Sequence, residues 1–107
     1  MRKGVVQVRG RDAGNLEEKE DGFRFQYLDS YLADGKAPAV SLTLPRRSKA
    51  YESPHLFPFF FGLLAEGSMK AEQCMRLKLD EKDAFGRLLL TAGSDTIGAV
   101  TVHPENM

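Results

Sequence analysis

The sequence has little of what usually reveals a small protein's purpose. It contains one cysteine, Cys74, so no disulfide can form within the chain and the staple of many small secreted domains is excluded. A reducing compartment is the natural setting, and the cytoplasm is the expected location. No apolar run approaches the ~18 residues that cross a bilayer, and the N-terminus MRKGVVQVRGRD becomes charged too early for a signal peptide. Net charge is missing as well, because fifteen Lys and Arg offset fifteen Asp and Glu. No whole-molecule field draws in DNA, RNA or an anionic membrane, so neither direct nucleic-acid binding nor membrane binding is expected.

Catalytic vocabulary is also absent. Phosphoryl transfer needs a phosphate cradle, metal-binding carboxylates and a group that orients the nucleophile. The chain has no G-x-x-x-x-G-K-[ST] loop, no G-x-G-x-x-G and no H-R-D or D-F-G element. Ser68 follows Gly67 but lacks the G-x-S-x-G setting of a nucleophile elbow. His55, His103 and Cys74 do not have the short spacing of metal ligands, and Cys74, near Met69 and Met75, reads as an apolar filler. No catalytic residue, cofactor or metal is expected, and the chain reads as non-enzymatic.

What is present suits a soluble folded domain spanning residues 1–107, with 42% hydrophobic and 28% charged residues. Val5, Val6 and Val8 between Gly4 and Gly10 predict a first strand. Residues 11–14 read as a turn and 15–20 as a second strand. The Asp21-Gly22 pair is the strongest hairpin signal, returning into a strand where Phe23, Phe25 and Tyr27 alternate with Arg24 and Gln26. Residues 28–36 read as a turn or short helix. A fourth strand is predicted over 39–44, with Val40, Leu42 and Leu44 alternating against Ser41 and Thr43, ended by Pro45; a solvated loop follows over 46–54.

From Pro58 the period becomes helical, through Phe59, Phe60, Leu63 and Leu64 to Gly67. A second helix is expected after a Ser68 cap, with Met69, Ala71, Met75 and Leu79 within its reach. A third starts within 80–83, where acidic residues suit its dipole, and carries Phe85, Leu88, Leu89 and Leu90. Residues 98–102 close the fold as a strand that rejoins the sheet. The fold class is α+β: a small antiparallel sheet or partly closed barrel, from the N-terminal half plus the last strand, packed with about three helices.

Three features are candidates for binding. Phe57, Phe59, Phe60 and Phe61 are consecutive enough that one helix face cannot hide them all. Arg46, Arg47 and Lys49 form a short basic run that reads as solvated loop or phosphate contact. Glu66, Gly67, Ser68, Met69 and Lys70 form the break between two helices, read either as an ordinary turn or as a partly apolar tip that reaches a partner.

Several segments together resemble the HipA N-terminal lobe: VVQVRGRDAGNL with FRFQYLDSYL, SLTLP, Tyr51, PFFFGLLAEG and FGRLLLTAGSDTIGAVTVHP. PFFFGLLAEG is similar to a PFF-x-x-LLPEG element, with Ala65 in place of the usual proline. The resemblance implies a lobe of a bacterial serine/threonine kinase, here without the kinase body. A free-standing lobe resembles HipS, the small antitoxin of three-gene HipBST systems. That likeness implies a non-catalytic antitoxin that binds and neutralises a separately encoded HipT-like kinase, with a HipB-like DNA-binding protein as a further member of the complex. The alternative it leaves open is a regulatory or activating N-lobe subunit of a split kinase. A module that dimerises through an exposed sheet edge is a third reading. For the antitoxin, Ala65, Glu66, Gly67, Ser68, Met69 and Lys70, with Phe61, are the expected partner-binding residues.

Overall fold

Alternating apolar and polar residues build the first three strands, and two tight turns set their register. In the computed structural model, which describes residues 1–93 and 99–105, β1 (Lys3–Val8), β2 (Arg11–Lys19) and β3 (Gly22–Tyr27) are consecutive hairpin strands. They are followed by α1 (Asp29–Leu32), β4 (Tyr51–Ser53), α2 (Pro58–Phe61), α3 (Gly67–Leu77), α4 (Ala84–Thr91) and β5 (Val100–Pro104). The strands form one antiparallel sheet in the order β4-β3-β2-β1-β5. The closing strand rejoins the first, pairing Val6 with Val102 and Val8 with Val100. The α+β expectation holds in its sheet form: the sheet is open, with β4 and β5 as its edges, and does not close into a barrel.

The first hairpin turns at Arg9-Gly10, whose φ values of +52° and +79° are the left-handed pair a two-residue turn needs. Residues 11–14, expected as the turn, are instead strand, and a bulge opposite Val6 and Gln7 absorbs Ala13 as an extra residue. The second hairpin turns through Glu20 and Asp21 and closes on the Lys19–Gly22 pair, one residue earlier than the Asp21-Gly22 reading. Gly22 is required there, since its φ is +153° and a Cβ would lie 2.3 Å from the Ser53 carbonyl oxygen.

Val6, Leu16, Phe25, Tyr27 and Val102 line the buried face of the sheet, and Tyr31, Phe60, Phe85 and Leu88 pack with them in one core. Phe25 lies at its centre, with ring centroids 5.0 Å from Tyr27 and 5.6 Å from Phe60. Gln7, Asn15, Gln26 and Thr101 alternate to the other face and stay partly exposed.

Several elements depart from the sequence expectation. Residues 39–44 form no strand. Leu44 instead turns back on Ser41 in an isolated bridge, and the backbone partner of this segment is a side chain: the Tyr27 hydroxyl accepts from the Val40 N–H at 2.8 Å and donates to the Leu44 carbonyl. The loop expected over 46–54 contains β4, which adds to β3 through Phe25 and Tyr51. The helix expected to reach Gly67 stops at Phe61 and continues as single turns through Leu63 and Leu64. Helix α3 starts at Gly67, so Ser68 lies inside it and the cap is Glu66, which makes no side-chain capping bond. The acidic residues at 80–83 precede α4, with Asp83 as its cap, accepting from the Gly86 N–H at 3.0 Å. The last strand is Val100–Pro104, and Gly98 lies outside the described residues.

Candidate functional site

The candidate tip is the junction between α2 and α3. Pro58 at the first position of α2 presets the helical φ, and Phe60 is the side chain of that helix that enters the core. Leu64 is buried as well, and from it the chain rises through Ala65 into α3. Gly67 has φ +61° with open space around it, so the glycine serves the sharp entry into the helix rather than a close approach.

One side chain fixes where this junction sits. Arg87, in the middle of α4, is only 3% exposed, and its guanidinium Nη2 donates to the Ala65 carbonyl at 2.7 Å. A charge on a buried helix face must find acceptors, and here the acceptor is the backbone at the root of the tip. The interrupted apolar run FGRLLL is the sequence signal for such an anchor, and sequence reasoning had passed over it.

The expected partner-binding residues lie at the end of α2 and over the entry into α3. Ala65 is half-buried and held by Arg87; Glu66, Gly67 and Ser68 are exposed; Lys70 is half-buried. Phe61 is 52% exposed and Met69 63%. Among the described residues no side-chain hydrogen bond or ion pair joins these residues to one another. Cys74, read as an apolar filler, is the one buried side chain of α3, and Met75 is 81% exposed. By helical geometry Met69 and Met75 stand roughly 120° apart, flanking Glu72 and Arg76 on the face opposite Cys74. The outcome for the four phenylalanines is mixed: Phe57 and Phe60 are buried, Phe59 packs on the core from its edge, and Phe61 faces solvent.

The basic run is largely committed to structure. Arg46 donates to the carbonyls of Leu32, Asp34 and Gly35, and the Arg47 guanidinium lies 3.6 Å from the centroid of the Tyr51 ring. Arg2 pairs with both Glu18 and Asp83 at 2.7 Å, and these hydrogen bonds hold both carboxyls below their usual range. Among the described residues there is no group of three or more His, Cys, Asp or Glu placed to hold a metal ion, and no helix long and apolar enough to cross a membrane.

With the strands, the buried anchor and the exposed junction in view, known proteins supply the frame. The sequence model of the HipA N-terminal domain matches residues 5–103. The chain belongs to the HipA N-terminal domain family. Among solved structures, the N-terminal domain of HipA toxin superposes with a TM-score of 0.74 at 32% identity, covering 99% of this chain and 94% of that one. An uncharacterized protein of Haemophilus influenzae is 34% identical over 105 residues, covering 98% of this chain and 94% of its own length. Two Sinorhizobium fredii proteins, "Putative kinase Y4mE" and "Putative kinase Y4dM", are 31% and 33% identical over 91% and 94% of this chain. The chain spans only 23% and 26% of their lengths.

Proposed function

We propose that this domain is a non-catalytic antitoxin of the HipS kind, which docks in the cytoplasm on a separately encoded HipT-like kinase body and neutralises it, in a complex that a HipB-like DNA-binding protein joins. The observation that carries the reading is the exposure of Phe61 and Met69 on either side of the buried Leu64. Two large apolar side chains stand in solvent on a junction whose root is pinned by the buried Arg87. Such a junction is positioned without being packed, which suits a contact completed by a partner. The relatives support the same reading: the domain makes up nearly all of one and about a quarter of two others named as kinases. Docking in trans where the domain is attached in cis elsewhere needs no new surface. Neutralisation requires that the domain bind the inactive kinase better than the active one, and a tip that occupies the catalytic cleft provides that difference.

The test is kinase activity and growth arrest with a co-expressed HipT-like kinase, with and without the domain. Lowered activity is the expected result; raised activity would replace the antitoxin with an activating subunit. The double substitution of Ser68→Ala with Met69→Ala is expected to weaken inhibition while thermal unfolding stays within about 0.5 kcal/mol of the parent, since both residues are exposed. Unchanged inhibition removes the tip from the mechanism. Self-association through a sheet edge has less support, because β4 is three residues long and the outward N–H of Val102 in β5 is taken by the Ala92 carbonyl at 2.9 Å.

A further inference from the structure

Leu42 is 99% exposed, although its alternation with Val40 and Leu44 reads as a buried strand. It sits at the apex of a turn locked on every side. The Leu44 N–H bonds to the Ser41 carbonyl at 3.1 Å, the Thr43 N–H bonds to Ser41 Oγ at 3.2 Å, and the two hydroxyl oxygens lie 2.9 Å apart. Val40 and Leu44, the legs of the turn, are buried and clamped to the Tyr27 hydroxyl. An exposed leucine alone is common on protein surfaces. One whose backbone is fixed from the core is less so, because its direction is set before any partner arrives.

The charge of the sequence on either side of it is also one-sided. The chain as a whole is neutral, with fifteen charges of each sign, yet residues 33–50 carry Lys36, Arg46, Arg47 and Lys49 against Asp34 alone. That one carboxylate is paired with Arg11 at 2.6 Å. Hydrogen bonds tie these loops together: Arg46 reaches the carbonyls of Leu32, Asp34 and Gly35, the Tyr31 hydroxyl bonds to the Pro38 carbonyl, and the Tyr51 hydroxyl to the Pro45 carbonyl.

We infer that Leu42 and the cationic loops around it form a second contact with the kinase body, Leu42 entering an apolar pocket rimmed by carboxylates. The inference rests on the proposed function and adds to it a surface remote in sequence from the tip. A preset apolar anchor loses little conformational freedom on binding, and a rim of one sign steers the encounter with a partner of the other.

The experiment measures association of the purified chain with a HipT-like kinase body, at low and high salt. Leu42→Ser, which leaves every bond of the turn in place, is expected to bind about tenfold more weakly or worse, mainly through faster dissociation. Charge reversal by Lys36→Glu with Lys49→Glu is expected to slow association and flatten its salt dependence. If the parent chain binds and Leu42→Ser binds equally well, this inference falls while the antitoxin reading stands. If the parent chain does not bind, both fall. If Leu42→Ser instead dissolves a dimer of this chain, the occupant is a second copy and the kinase contact is overturned.

Discussion

Helices α3 and α4 follow one another in the chain, and they are held in opposite ways. The longer one, Gly67–Leu77, buries Cys74 and shows Met69 and Met75 to solvent; the shorter one, Ala84–Thr91, buries Phe85, Gly86, Arg87 and Leu88. Their starts differ too. The cap of α4, Asp83, bonds the Gly86 N–H and is itself gripped by Arg2, whereas the cap of α3, Glu66, makes no side-chain capping bond. Length and helix propensity do not decide which helix belongs to the core; the buried stripe does. Helix α4 holds the sheet together, and α3 is left as a surface that it supports from below through Arg87 and Ala65.

The sharpest way to break this comparison is one truncation in each helix. Leu88→Ala removes a fully buried side chain from the core and is expected to cost about 2–4 kcal/mol. Met75→Ala removes an exposed one and should stay within about 0.5 kcal/mol. Urea unfolding of the two variants decides the matter, and equal losses would mean that α3 is packed far more firmly than its exposure implies.

The link between the helices is the next target. Arg87→Met keeps most of the volume but leaves the Ala65 carbonyl without its donor, with an expected loss of about 1–2 kcal/mol. The telling readout is local. Amide exchange over residues 65–70 should speed up by more than exchange in α4, because the lost bond anchors the root of the tip. Exchange that accelerates evenly in both helices would show that Arg87 serves the core alone.

The contrast between the helices also shows what could be read from the sequence. The sheet was legible because period-two alternation around Phe23, Phe25 and Tyr27 has one physical outcome once one face is covered. Helix α4 was legible through Phe85, Leu88 and Leu89. Residues 39–44 misled because alternation says nothing of whether a backbone partner exists, and without one the segment turns and leaves Leu42 in solvent. Val40 and Leu44 do face the core, yet the Tyr27 hydroxyl takes the place of a neighbouring strand. Met69 stays open between core and tip in the sequence, because an apolar side chain is consistent with burial but does not require it. The position of the tip was legible as a break at Gly67; its anchor was not, because Arg87 acts across 22 residues and through a backbone carbonyl that no motif records.

The entry into α3 offers a smaller test. Gly67 adopts φ +61°, a conformation that costs an alanine about 1 kcal/mol, while open space around it means no clash adds to the cost. Gly67→Ala is therefore expected to lower stability by about that amount and to loosen the first turn of α3 while leaving α4 unaffected. A variant as stable as the parent would show that the α3 entry relaxes freely, which widens the difference between the two helices.

The smallest expected effect lies at the start of α4 and depends on pH. Arg2 holds the carboxyls of Glu18 and Asp83 below their ordinary values, chiefly through hydrogen bonds, and its guanidinium also lies 5.5 Å from the centroid of the Phe85 ring. A carboxyl whose folded pKa lies below its unfolded one contributes stability that is fully present above the unfolded value and is lost as pH falls through the folded one. All three side chains are partly exposed, so solvent screening keeps the worth of the network small. Arg2→Met is therefore expected to cost about 0.5–1 kcal/mol near neutral pH. The gap between parent and variant should narrow steadily once the pH drops below about 4, because protonated carboxyls no longer need the guanidinium. Urea midpoints collected across that range give the answer. A gap that persists unchanged in acid would assign the role of Arg2 to its contact with Phe85 instead, and α4 would then owe its firm start to packing rather than to charge.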